Sequence, residues 1–232
     1  MKRIICLLFA LLASNTFAID KIWDMRYTFG PDSRVSPKFG FGVGLRSEFN
    51  SNILFPINFS SRLSREFEIG AKLDIQTYNK MDNTEASIDL GVRYRFKSWT
   101  FVELDGYLGL NHDNEGALIF TIGTQQYISK NFANYYEARA GIFDGVTGED
   151  GYVKFAFGMT PTLIFGNIMR TMLEVTTSGS AGNLQDDFMI DIIPKIELKF
   201  GETRIRVDFD IGVMQEKNND QKTIALYVMT AL

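Results

Sequence analysis

Polar or charged residues alternate with apolar ones through most of this 232-residue chain, and the spacing of the charged ones says what they could do chemically. Arg62 is separated from Glu68, Arg93 from Glu103, and the pair Lys195 and Glu197 from Arg206 and Asp208, by stretches short enough to be tight turns with short strand ends. A turn at 64–66 sets Arg62 opposite Glu68, and one at 97–99 sets Arg93 opposite Glu103. A two-residue turn at Gly201 and Glu202 sets Glu197 opposite Arg206 and Lys195 opposite Asp208. Such cross-strand pairs contribute roughly 0.2 to 1 kcal/mol each. Their larger effect is to line a surface with fixed charge. The alternation extends that candidate lining to Arg62, Glu68, Lys72, Asp74, Arg93, Arg95, Glu103, Asp105, Glu137, Arg139, Lys195, Glu197, Arg206 and Asp208.

Other chemistry finds less support. A serine nucleophile needs a histidine beside it, and His112 stands alone in the polar run His112-Asp113-Asn114. Asp186 and Asp187 are adjacent in a loop, where neighbouring side chains point apart. Zinc would need a His or Cys cluster that the chain lacks. The stretch Asp144-Gly145-Val146-Thr147-Gly148-Glu149-Asp150 offers hard oxygens without the ligand spacing of a calcium loop. Gly40, Gly42 and Gly44 do not precede a helix, so they do not form a phosphate cradle. No catalytic residue, metal ligand or cofactor is assigned, and an enzyme is not expected.

The elements that must position these charges are strands. Phe67, Ile69, Ala71, Leu73 and Ile75 alternate with Glu68, Gly70, Lys72, Asp74 and Gln76, and Ala86, Ile88, Leu90, Val92 and Tyr94 alternate with Ser87, Asp89, Gly91, Arg93 and Arg95. Strand side chains point to opposite faces with a period of two, so each segment has one apolar and one polar face. About twelve such strands are predicted, at 39–49, 53–63, 67–78, 86–96, 99–111, 117–129, 132–143, 152–164, 168–177, 188–200, 203–214 and 223–232. Tight turns at 64–66, 97–98, 129–131, 165–167 and 201–202 alternate with mostly longer polar links such as 79–85, 144–151, 178–187 and 215–222. Phe67, Phe96, Phe132 and Phe200 fall on the apolar face beside the short turns, where a girdle of rings would meet a membrane interface.

A chain of long two-faced strands needs something to cover its apolar side. Mean hydropathy is −0.05, and no segment beyond the leader approaches the ~18 apolar residues of a spanning helix. A bilayer would therefore be crossed by a sheet, which pairs all its backbone groups in lipid only by closing on itself. Met1-Lys2-Arg3, the apolar run 4–13 and Thr16-Phe17-Ala18 read as an export leader, 1–18, cleaved after Ala18. It contains Cys6, the only cysteine, so the mature chain would carry no thiol. Cleavage removes two bases and no acid from a chain of net charge −4, and an acidic chain without a basic stripe is not expected to bind nucleic acid.

With a leader ending Thr16-Phe17-Ala18, amphipathic strands over 39–232 and tight turns alternating with loops, the chain resembles the bacterial outer-membrane β-barrel class. The resemblance covers nearly all the mature chain and is architectural, naming no subfamily. It implies an all-β fold, a closed antiparallel transmembrane barrel of about twelve strands with both termini periplasmic. It also implies residence in a Gram-negative outer membrane, lipid around the wall, and delivery by the outer-membrane assembly machinery. One departure is the last residue, Leu232, where such barrels usually close on an aromatic ring.

On the inward face the alternation places twelve bases and twelve acids. A strongly selective channel would carry a ring of one sign. The balance points instead to a narrow, weakly selective pore passing small hydrophilic solutes, with a closed structural or surface-interaction barrel as the alternative. Twelve strands ~4.8 Å apart and tilted by ~40° close into a cylinder about 24 Å across, which long side chains can largely span. Gly40, Gly42 and Gly44 leave one wall without side chains, and segment 19–38, with Trp23, Tyr27 and Phe29, is a candidate plug or periplasmic extension; close packing of the glycines is the other reading. Outward Gln126 and Asn134 interrupt the apolar belt and mark a candidate subunit contact.

Overall fold

The computed structural model describes residues 38–48, 53–78, 83–97, 100–110, 116–144, 152–181, 188–214 and 222–231. The expected leader, the candidate plug apart from Lys38, His112, Asp186, Asp187 and the stretch 145–150 lie outside these residues. Twelve strands follow in order: β1 (Phe39–Glu48), β2 (Ile53–Arg62), β3 (Phe67–Tyr78), β4 (Asn83–Lys97), β5 (Thr100–Gly109), β6 (Gly116–Ser129), β7 (Phe132–Phe143), β8 (Tyr152–Phe165), β9 (Met169–Ser180), β10 (Met189–Phe200), β11 (Thr203–Met214) and β12 (Lys222–Ala231). Each pairs antiparallel with its chain neighbours, and β12 returns to β1 from Gly40 opposite Ala231 to Glu48 opposite Thr223. The sheet is closed, so no strand edge is left to face lipid.

Burial is inverted relative to a water-soluble protein. Leu90, Phe96, Phe157, Ile142 and Leu163 are at least half exposed, whereas Glu68, Asp89 and Arg206 are fully buried. The outward rows are mainly apolar, and the lumen charges lie on the inward rows, which also carry the buried apolar groups Tyr107, Ile119 and Phe143 and, on β12, Ala225 and Tyr227. Rings crowd the outer surface at the short-turn end: Phe67, Phe96 and Phe200 are exposed there, and Tyr94 packs 5.1 Å from both Phe67 and Phe96.

Two strands run further than the alternation predicts. β4 begins at Asn83 rather than 86, and β9 continues to Ser180 rather than 177. The predicted ends coincide with the loss of outward apolar residues, but the backbone ladder continues above that belt through Tyr78 opposite Asn83, Thr77 opposite Thr84 and Gln76 opposite Glu85. Pairing needs no apolar side chain, so Glu85 belongs to the wall and not to a loop.

The tight turns have local causes. Ser64 Oγ accepts from the Glu66 and Phe67 amides at 3.1 and 3.0 Å, closing β2 onto β3. Gly166 and Gly201 adopt φ of 58° and 60° at the β8–β9 and β10–β11 turns, a conformation that costs other residues about 1–2 kcal/mol. Pro56, Pro161 and Pro194 lie inside strands, and the ladder is interrupted beside each, between Val43 and Arg46, Met159 and Thr162, and Ile192 and Lys195. A proline has no amide hydrogen to give, and a closed sheet has no edge at which to hide it.

Candidate functional site in the barrel lumen

The turns fix the register, and the register fixes which charges meet. Arg62 stands opposite Glu68, Arg93 opposite Glu103, Glu197 opposite Arg206 and Lys195 opposite Asp208. The side chains then choose partners within reach in a crowded bore. On the β3–β5 wall, Glu68 accepts from Arg95 Nε and has Arg93 at 3.8 Å, while Arg62 is exposed at the rim. Arg93 donates through Nε to Glu103 at 2.7 Å, and Asp105 is buried one step further along β5. Lys72 lies between Asp74 at 2.7 Å and Asp89 at 3.1 Å.

Facing this wall, Lys195 donates to Glu174 and is 3.9 Å from Asp208. Arg206 donates to Asp208 on its own strand at 2.7 Å, although the register also sets it opposite Glu197, which has Arg170 on its other side. On β7, Glu137 accepts from Tyr135 at 2.9 Å and from Arg139 at 2.7 Å. Of the fourteen predicted lining positions, thirteen are buried or half-buried on the inward rows and Arg62 is exposed; they fall in three clusters rather than one ring.

Aromatic rings fill the space between the charges, a feature the polar alternation did not signal. Arg93 places its guanidinium 4.1 Å above the Phe101 ring, and Phe101 stacks on Tyr135 at 6.5 Å. Both rings lie against Gly123, where a Cβ would come within 2.5 Å of Phe101 and 2.8 Å of the Tyr135 hydroxyl. On the β1 side, a Cβ at Gly44 would meet Tyr227 at 2.6 Å and Pro56 at 2.8 Å, and one at Gly42 would meet Asn58 at 2.9 Å. The expectation of a bare wall beside Gly42 and Gly44 is thus corrected. Neighbouring side chains lie flat over both glycines, as close packing requires.

On the outside, Asn134 donates to the Tyr136 hydroxyl at 2.7 Å, and the Thr100 and Thr124 hydroxyls are 2.9 Å apart. With Gln126 opposite Asn134, these form a polar inlay in the apolar surface, low on β5–β7. Part of their polarity is satisfied within the chain.

No protein-family profile matches the sequence, and no curated protein matches it. The fold does match solved structures. A structure described as KdgM porin aligns with TM-score 0.61 and 9% identity over 83% of this chain and 99% of that one. An outer membrane channel from Pseudomonas putida F1 aligns with TM-score 0.64 and 8% identity over 93% and 99%. A monoaromatic hydrocarbon channel, CymD, aligns with TM-score 0.53 and 8% identity over 84% and 89%. The chain therefore has the architecture of bacterial outer-membrane β-barrel channels. At such identities the likeness concerns the fold alone, and the solute has to be argued from this lumen.

Proposed function

We propose that this chain forms a narrow, weakly selective outer-membrane pore through which small hydrophilic solutes diffuse passively. One observation carries the reading: a closed sheet, apolar outside, presents an inner wall of acids and bases of both signs. Fixed charge of mixed sign makes a bore wettable without making it a filter for one ion. In this reading the short turns and both termini face the periplasm, residues 1–18 direct export, the assembly machinery inserts the barrel, and no catalytic step is assigned. Planar-bilayer recording of the purified protein tests it. Stable conductance steps with little preference between potassium and chloride support it, and silence across a wide voltage range rejects it.

One observation favours a second reading, a closed barrel whose work lies in its loops. Glu68, Asp89 and Arg206 are 0% exposed, so water does not reach parts of two facing walls. Partly exposed lumen groups on β7–β11, among them Glu137, Asp191 and Arg204, mark where a water path would run. The same recording separates the two readings.

A further inference from the structure

The lumen charge that balances in total is segregated along the bore on β4 and β11, although β3 and β7 place Glu68 and Glu137 nearer the short turns than Lys72 and Arg139. Along β11, from the short-turn end toward the long-loop end, the inward residues are Arg204, Arg206, Asp208 and Asp210. β4 has the same order, with Arg95 and Arg93 nearest its short turn, then Asp89 and Glu85. The segregation is clearest among groups that water reaches. At the short-turn end these are Arg62, Arg170, Lys199 and Arg204, and Glu137 lies near mid-length on β7; at the loop end they are Glu85, Asp191 and Asp210, with Lys154 the one base among the described half-exposed side chains and the buried Arg46 3.6 Å from Asp210. Lys199 and Arg204 are directly opposite one another, a like-charge pairing that costs stability at that mouth. Ion pairing alone does not call for this arrangement, since alternating signs would pair as well.

We infer that the barrel is a bipolar pore, acidic toward the loops and basic toward the short turns, and that it favours small zwitterions held with the cationic end toward the loops. The inference rests on the pore reading and adds an axis to it. Fixed charges in a low-dielectric bore concentrate counter-ions locally. Each half therefore gathers the opposite ion. A voltage of one sign drives both ions toward the junction and raises conductance there; the reverse sign empties it. A solute of one net charge gains in one half and loses in the other, whereas a zwitterion aligned with the axis gains in both.

The test is single-channel recording of the full protein inserted in one direction, with liposome swelling beside it. Currents at equal and opposite voltages should differ about two-fold or more. Asp191→Asn with Asp210→Asn should reduce that asymmetry and shift the reversal potential toward anions. Lys199→Gln with Arg204→Gln should reduce it and shift the potential toward cations. In swelling, a zwitterionic amino acid should enter faster than its cationic amide or its anionic N-acetyl derivative. A symmetric wild-type current, or fastest permeation of either singly charged derivative, overturns the inference while leaving the pore intact. The wild-type measurements decide this even if a variant fails to fold. Absence of any conductance removes the pore reading itself.

Discussion

At the scale of single residues, the lumen is held by a few side chains that cannot be altered independently. Glu68 is fully buried and accepts from Arg95, with Arg93 close by. Glu68→Ala would leave two guanidinium groups facing one another without that carboxylate, and breaking a buried pair in this way costs about 3–5 kcal/mol. The midpoint of denaturant unfolding in detergent should fall accordingly, and Glu68→Gln should fall less because its amide oxygen still accepts. Gly123 supplies a second measure. A Cβ placed 2.5 Å from the Phe101 ring must push that ring, and with it the guanidinium of Arg93, into the bore. Gly123→Ala should therefore destabilise by about 1–3 kcal/mol. Gly123→Ala combined with Phe101→Leu should recover part of the loss, whereas a fault in the backbone alone would not be rescued. The amino-acid pattern made the inward positions of Glu68 and Arg93 legible, because a period of two leaves no other choice. It did not reveal that Glu68 bonds Arg95 while Arg62 stays exposed, or that Arg206 takes Asp208 on its own strand. Those choices depend on which rotamers a crowded bore allows, and rings such as Phe101 and Tyr135 decide the crowding.

At the scale of elements, the tight turns set everything that follows. A turn of fixed length determines which residues stand opposite, so the pairing of Glu197 with Arg206 and of Lys195 with Asp208 could be stated before any coordinates. Strand ends were less legible. β4 and β9 outrun their apolar rows because backbone pairing of Gln76 with Glu85, or of Lys154 with Ser180, does not depend on lipid contact. Gly201 isolates the turn's own contribution. Its φ is 60° and nothing lies within 4 Å of where a Cβ would be, so an alanine there meets strain without collision. Gly201→Ala should cost about 1–2 kcal/mol. Gly201→Asn should cost less, since asparagine visits this conformation more readily. Folding yield into detergent micelles, followed by the mobility difference between heated and unheated protein, gives the measurement; equal behaviour of the two variants would show that the turn does not direct the hairpin.

At the scale of the whole molecule, the two faces of the sheet answer to different solvents, and the same substitution should have opposite consequences on each. Leu90 and Leu104 are on the outside of neighbouring strands near mid-length, 59% and 47% exposed, where a closed barrel of this architecture meets hydrocarbon. An arginine at either position must either enter the lipid or drag water toward it. Near the bilayer midplane that costs roughly 2–4 kcal/mol, falling to about 0–1 near the interfaces. Leu90→Arg should therefore unfold more readily in lipid vesicles, whereas the same change at Leu63, exposed beside a short turn, should be nearly neutral. The contrast has to shrink in micelles of short-chain detergent, which hold no thick slab of hydrocarbon for the charge to cross. On the inner face the rule reverses where water reaches the wall: an added charge at Ser60, half-exposed on the inward row opposite Gly40 and Gly70, should alter conductance more than stability. If Leu90→Arg and Leu63→Arg were equally tolerated in vesicles, the exposed apolar rows would not be facing lipid. The outer surface would then need a protein partner as large as the belt itself.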